Sequence, residues 1–347
     1  MAARAGTVSD RDAFYQRIAA HNLAPLWESM DDLVPVEPNP PCVPAHWRYA
    51  TIRDFVMEAG DLITAKEAVR RVLILENPGL RGTAAITQSL YAGLQLILPG
   101  EIAPSHRHSQ SALRFIIEGS GAYTAVDGEK TIMQPGDFVI TPSWTWHDHG
   151  NESDRPMVWL DGLDIPMLRF FDAGFCEDLD RDAQPIERPE GDSPARYGRG
   201  LVPVDFEATS KTSPVFNYPY AEARASLEVL RRTGDWDPCH GLKMRYINPV
   251  TGEWAMPTIG TFLQLLPKGF ETRPYQSTDG TVFCAFEGRG RAMVGDATFE
   301  WEPKDIFVVP SWVRYRLEAD EDSVLFSFSD RPVQEKLGFW RQRRGND

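Results

Sequence analysis

The rhythm of apolar and polar positions changes near Thr83. From there the chain breaks into short runs rich in β-branched and large apolar residues: AGLQLIL, ALRFIIE, AYTAV, TIM and FVIT. PGE, GSG, DGE, QPGD and PSW separate them. Strands of about four to seven residues punctuated in this way predict an antiparallel sandwich or barrel. Before Thr83 the rhythm is helical in places. Phe14, Ile18, Ala19, Leu23, Leu26 and Trp27 recur at helical spacing, which predicts a helix from Ser9 to Met30 with Ser9 and Asp12 as a capping box. Residues 34–44 read as proline-rich and extended, and two further helices are expected, Tyr49 to Glu58 and Thr64 to Val69. This arm has no evident core of its own and is expected to pack on the following domain or on a neighbouring subunit.

The β-rich pattern occurs twice. LRFIIEG at 113–119 returns as VFCAFEG at 282–288, and QPGDFVITPSW at 134–144 returns as EPKDIFVVPSW at 302–312. Between these blocks GSGAYTAVDG is echoed by RGRAMVGD. The expected fold is mainly β, with one barrel over 83–166 and a second over 258–330. An arm of residues 1–82 precedes them, a linker of residues 167–257 with a helix at YAEARASLEVLRRT joins them, and a helix or tail at 331–347 follows.

Net charge is −14, which argues against nucleic acid and anionic membranes as partners. An anionic substrate would need local arginines against that field. The four cysteines are scattered without a CxxC pair, as expected of reduced thiols in a cytoplasmic protein. No secretory leader and no transmembrane span are expected from the apolar runs.

Four of the seven histidines fall between 106 and 149. His106 and His108 stand two apart on a predicted strand, so both side chains leave the same face. His147 follows the next block, where an antiparallel neighbour could bring a third imidazole. Three imidazoles suit a divalent transition metal and leave positions open for substrate. His149 shares the His147 face and is a candidate acid/base or supporting residue. His21, His46 and His240 read as structural. In the second copy Tyr275, Ser277 and Tyr315 stand at the places of His106, His108 and His147, so that barrel has lost the ligands.

The spacing Gly100, His106, His108 and then Gly136, Pro142, His147, Asn151 resembles the two motifs of the cupin superfamily. The glutamate expected there at Ala112 or Leu113 is absent. A neutral three-histidine site keeps the full charge of a divalent ion and suits a dianionic chelator, such as an ortho-hydroxycarboxylate. HRHSQSALRFIIEGSGAYTAVDGE, GDFVITPSWTWHDHGN and MVWLDGLDIP, with RRVLILENPGL, YAGLQLILPGE and RYINPVTG, are similar to the gentisate 1,2-dioxygenase family. The resemblance implies two cupin barrels, one iron(II) per subunit in the first, dioxygen as co-substrate, and opening of gentisate to maleylpyruvate. It also implies a homotetramer. Relatives that cleave salicylate or 1-hydroxy-2-naphthoate are the alternative, and Tyr91, where the salicylate-cleaving relative carries tryptophan, points to gentisate.

Arg114, inside the apolar LRFII, is the expected fork for the substrate carboxylate. Gln95 is expected to hydrogen-bond oxygen or substrate, and Asp161 to accept from the far ring hydroxyl or from His149. At least one of Arg70 and Arg71 is expected to face the site, and Trp144 to touch substrate. Rival readings are a metal-dependent cupin isomerase, active without oxygen, and a bicupin that binds a ligand without turnover.

Overall fold

The computed structural model describes residues 8–345. The described residues before Pro40 form one compact unit and those from Pro40 onward form another. Within the first, a helix runs only over Val8–Ala19, followed by a 3-10 turn at Leu26–Glu28 and a short helix at Met30–Leu33. The single helix expected to reach Met30 is thus broken. Asn22 turns to φ 57°, a left-handed conformation that asparagine tolerates, and Pro25 has no N–H to continue the ladder. Ser9 lies inside the helix rather than at its cap.

In the second unit the helix Tyr49–Leu62 runs one turn beyond Glu58. Ala65–Ala68 is capped by Thr64, whose hydroxyl accepts from Glu67 N at 3.1 Å. The fold is mainly β, as the punctuated pattern predicts, with two sheets per barrel. In the first barrel one sheet orders Asn217–Tyr218, Phe138–Thr141, Ala112–Glu118, Met157–Leu163, Tyr91–Ile97 and Val72–Ile74. The other orders Cys176–Asp178, Ile102–His108, His147–Asn151, Ala122–Val126 and Glu129–Ile132. The second barrel repeats both orders, from Ala45–Trp47 to Leu242–Arg245 and from Ala297–Trp301 to Gln342–Arg344.

These orders carry an exchange that the sequence does not announce. Ala45–Trp47 precedes the first barrel yet pairs with Ile306–Val309 of the second. Asn217–Tyr218 precedes the second barrel yet pairs with Phe138–Thr141 of the first. The helix after each short strand clamps both barrels. Tyr49 N donates to Asp305 at 2.8 Å and its hydroxyl to Glu118 at 2.9 Å. Tyr220 N donates to Asp137 at 2.9 Å and its hydroxyl to Glu287.

Alternation along the strands separates two cores. Leu113, Phe115, Ile117, Leu94, Leu96, Val158 and Leu160 join residues of the second barrel, including Phe326 and Phe328, in one shared cluster. Phe115 stacks on Phe326 with ring centroids 4.2 Å apart. The opposite phase, with Ile97, Ile116, Val139, Met157 and Trp159, fills the interior of the first barrel. Among the described residues no helix is long and apolar enough to cross a membrane.

Candidate metal centre

His106 and His108 lie on the strand Ile102–His108, and His147 opens its antiparallel neighbour His147–Asn151 directly opposite His106. The three ring centroids are 4.6, 4.8 and 5.1 Å apart. Each ring offers a nitrogen within 4.8 Å of the others, so one ion can reach all three. The backbone fixes two of the rings. His108 Nδ1 meets Gln110 O at 2.9 Å and His147 Nδ1 meets Thr145 O at 3.0 Å. With Nδ1–H donated to those carbonyls, Nε2 carries the lone pair. His147 Nε2 is buried with no hydrogen-bond partner. Such an atom fits a missing ligand bond better than a structural role.

Burial pushes His106 down to about 2 and His108 to about 4, and holds His147 well below the usual imidazole range. Neighbouring cations, Arg70 and Arg114 among them, act in the same direction. All three rings are therefore neutral and available as donors at neutral pH. Among the described residues no carboxylate lies within reach of all three imidazoles, and Ala112 and Leu113 carry none. His106 also lies near Cys176 and Asp178, on the strand paired with Ile102–His108. Those two are exposed, whereas the three imidazoles are buried or half-buried and make the better-defined set. That strand is only three residues long, too short to carry a readable alternation.

Strand phase assembles the other polar groups. Tyr91 and Gln95 leave their strand on the side of Ile97, Arg114 on the side of Ile116, and Asp161 on the side of Trp159, all toward the barrel interior. Arg114 stands opposite Asp161, with Nε 3.7 Å from Oδ1, and its Nη1 donates to Thr141 Oγ1. Trp159 Nε1 donates to the same Asp161 oxygen at 3.0 Å. Burial raises Asp161 to about 6, against the pull of Arg114. Arg114 Nε and His149 Nε2 are buried without hydrogen-bond partners. His149 bonds Thr124 Oγ1 at 2.9 Å through Nδ1, so its partner is Thr124 rather than Asp161. Burial keeps His149 neutral.

The two adjacent arginines part company. Arg71 is buried against Glu101 through paired contacts of 2.8 and 2.5 Å and donates to Ile63 O, so its expected place at the site is corrected to a structural ion pair. Arg70 donates through Nη1 to Pro104 O at 2.9 Å and leaves Nη2 buried and unpaired. Its charge is felt by all four histidines of the cluster region and by Asp161. Trp144 is also placed elsewhere than expected. Its ring lies 4.7 Å from the Arg107 guanidinium, which leaves the strand on the face opposite His106 and His108. The Trp146 ring lies 4.6 Å from the same group, and Glu177 accepts from Arg107 Nε at 2.8 Å. Sequence reading missed Thr124, Thr141 and Arg107, which are recognisable only once strands are paired.

Comparison with known proteins agrees with this geometry. A cupin domain model matches residues 93–163. Gentisate 1,2 dioxygenase 1 of Aquipseudomonas alcaligenes is 59% identical over 96% of each chain. A gentisate 1,2-dioxygenase of Streptomyces sp. is 39% identical over 96% of this chain and 95% of its own. A crystal structure of salicylate 1,2-dioxygenase from Pseudoaminobacter salicylatoxidans, described as adducts with gentisate, superposes with a TM-score of 0.93 at 35% identity, covering 100% of this chain and 97% of that one.

Proposed function

Because this chain belongs to the gentisate 1,2-dioxygenase family of ring-cleaving dioxygenases, we propose that its substrate is gentisate and that the ring opens between the carboxyl-bearing and the adjacent hydroxyl-bearing carbon. Dioxygen is the co-substrate and maleylpyruvate the product. His106, His108 and His147 would hold one iron(II) per subunit. The observation that carries this reading is a cluster of three neutral imidazoles, two buried and one half-buried, with no carboxylate in the set, together with an Arg114 guanidinium nitrogen that makes no hydrogen bond. Bound iron(II) would supply a positively charged centre that chelates the carboxylate and 2-hydroxyl of the substrate and activates dioxygen.

The rest falls to the chain's own residues. Arg114 Nε and Arg70 Nη2 make no hydrogen bond within the protein and would donate to the substrate carboxylate, while the Asp161 charge and Thr141 hold the Arg114 fork in place. His149 is neutral. With the Thr124 proton directed to Met133 Sδ at 3.2 Å, His149 Nδ1–H donates to the hydroxyl oxygen and Nε2 can accept a proton from a substrate hydroxyl. Burial and Asp161 raise Tyr91, so its phenol stays protonated and suits a hydrogen bond to the 5-hydroxyl of gentisate. Gln95, on the barrel-facing side of its strand, would bond substrate or oxygen. Exposed Leu26, Trp27, Leu33 and Val36 in the arm support a homo-oligomer, in our reading a tetramer, and the four free cysteines fit a cytoplasmic enzyme.

Oxygen uptake after anaerobic loading with ferrous iron tests the reading. One oxygen consumed per gentisate, a ring-opened product, and loss of both in His106→Ala are expected. Uptake with salicylate but not gentisate would move the substrate assignment. Turnover without oxygen, or none with either acid, would overturn ring cleavage.

A further inference from the structure

The second barrel has lost the imidazoles but keeps their cavity. Tyr275 and Tyr315 stand opposite each other in the register that His106 and His147 occupy in the first barrel. With Ser277 they line a cavity of about 200 Å³. Pockets for drug-sized ligands run to about 300–1,000 Å³, so this one takes a smaller molecule.

Its walls are aromatic and its charge is mainly positive. Lys243 enters from the strand Leu242–Arg245, with its ammonium 4.4 Å from the Phe262 ring and 5.4 Å from Phe283. Phe283 holds the strand position that Arg114 holds in the first barrel, being opposite Ser327 as Arg114 is opposite Asp161. Among the described residues no carboxylate forms an ion pair with Lys243. Asp279 also lines the cavity, and its Oδ1 already accepts from Trp340 Nε1 at 2.8 Å. Arg331 lines it too. It bonds Glu335 at 2.7 Å and stacks on Trp340 at 3.9 Å. His240 Nδ1 is buried without a partner, with its ring 4.5 Å from that of Tyr275. Burial lowers Lys243 to about 8, so it still carries its charge at neutral pH. Lys243 is half-buried, and Asp279 and Asp237 act on it through space without an ion pair to either among the described residues; a partly desolvated ammonium so placed favours a bound anion.

We propose that the second barrel binds a small aromatic carboxylate, its carboxylate taken by Lys243 and Arg331 and its ring by Phe262, Tyr275 and Tyr315. The aromatic walls favour a one-ring acid over inorganic phosphate. The site contains none of the residues of the metal centre, so it stands whether or not gentisate is the substrate there.

Equilibrium dialysis with benzoate tests it on the full chain. Two binding events per chain are expected, of which one survives Arg114→Met and is weakened by roughly tenfold or more in Lys243→Met. Arg331→Gln should weaken the same event, which covers the case that Lys243→Met does not fold. Benzoate binding indifferent to both substitutions, or inorganic phosphate bound as tightly as benzoate, would overturn the proposal.

Discussion

A guanidinium inside an apolar strand needs a counter-charge, and Arg114 has one only at 3.7 Å, in Asp161. At that distance Arg114 Nε makes no hydrogen bond, and burial raises Asp161 to about 6. The sign of the consequence follows. Above pH 6 Asp161 is ionised and steadies the fork; below it the carboxyl takes a proton and the hold weakens. Oxygen-uptake kcat/KM for gentisate should therefore fall as pH drops through about 6, and Asp161→Asn should be low throughout without that limb. A persisting limb would assign the titration to another group. Arg114→Met should lower kcat/KM by about 10²–10³, the scale of losing one preorganised charged donor. Tyr91 is a finer case. A Cβ at Gly93 would come within 2.4 Å of Val72 Cγ1 and 2.9 Å of the Tyr91 hydroxyl, so glycine there keeps the phenol in place. Tyr91→Phe should raise the gentisate KM by roughly tenfold and leave salicylate, which lacks the 5-hydroxyl, unaffected. At this scale the histidines were legible because period-two spacing is a local property. The choice between Arg70 and Arg71 was not, because Glu101 decides it from thirty residues away.

Elements repeat more faithfully than the sequence suggests. Asp164 Oδ1 accepts from Ser111 N at 3.0 Å and Asp330 Oδ1 from Gly280 N at 3.1 Å. Each then reaches a hydroxyl from before the other barrel's first long strand, Thr258 to Asp164 at 2.6 Å and Ser89 to Asp330 at 2.9 Å. Even strained turns coincide, since Trp144 and Trp312 both have φ 61° and each donates N–H to the strand that carries His108 or Ser277. The long strands were readable because alternation extends over seven residues. Ala45–Trp47 and Asn217–Tyr218 were not, because two or three residues carry no period. Glu118 shows what the clamping helices contribute. The bidentate Arg53 and then the Tyr49 hydroxyl lower it to about 2, against the effect of burial. A depressed carboxylate stabilises the fold above its unfolded value near 4.5 and loses that contribution as pH falls toward 2. With Arg53 half-exposed, Glu118→Gln should cost roughly 1–2 kcal/mol at pH 7. Urea titrations should show the gap closing by about pH 2–3; a gap independent of pH would mean that packing, not charge, is lost.

Across the whole molecule the two barrels cannot be taken apart without breaking sheets. Each six-stranded sheet contains a strand from the segment leading into the other barrel, and the apolar faces of both sheets meet in one core around Phe115, Phe326 and Phe328. A cut between the repeats would strip Asn217–Tyr218 from the first barrel and Ala45–Trp47 from the second. It would also expose that core and leave Asp137 and Asp305 without the backbone donors of Tyr220 and Tyr49. Two separable domains would melt in two steps, whereas strands exchanged in both directions make the loss of one barrel the loss of the other. Calorimetry on the chain from Pro40 onward should therefore give one transition with calorimetric and van't Hoff enthalpies in agreement, and residues 83–166 expressed alone should lack a cooperative transition. Two resolved transitions, or a folded metal-binding fragment, would show that the exchange is decoration on independent barrels. One transition would explain why a barrel that has lost its metal ligands is retained. It completes the sheet and the core on which the imidazole cluster is held.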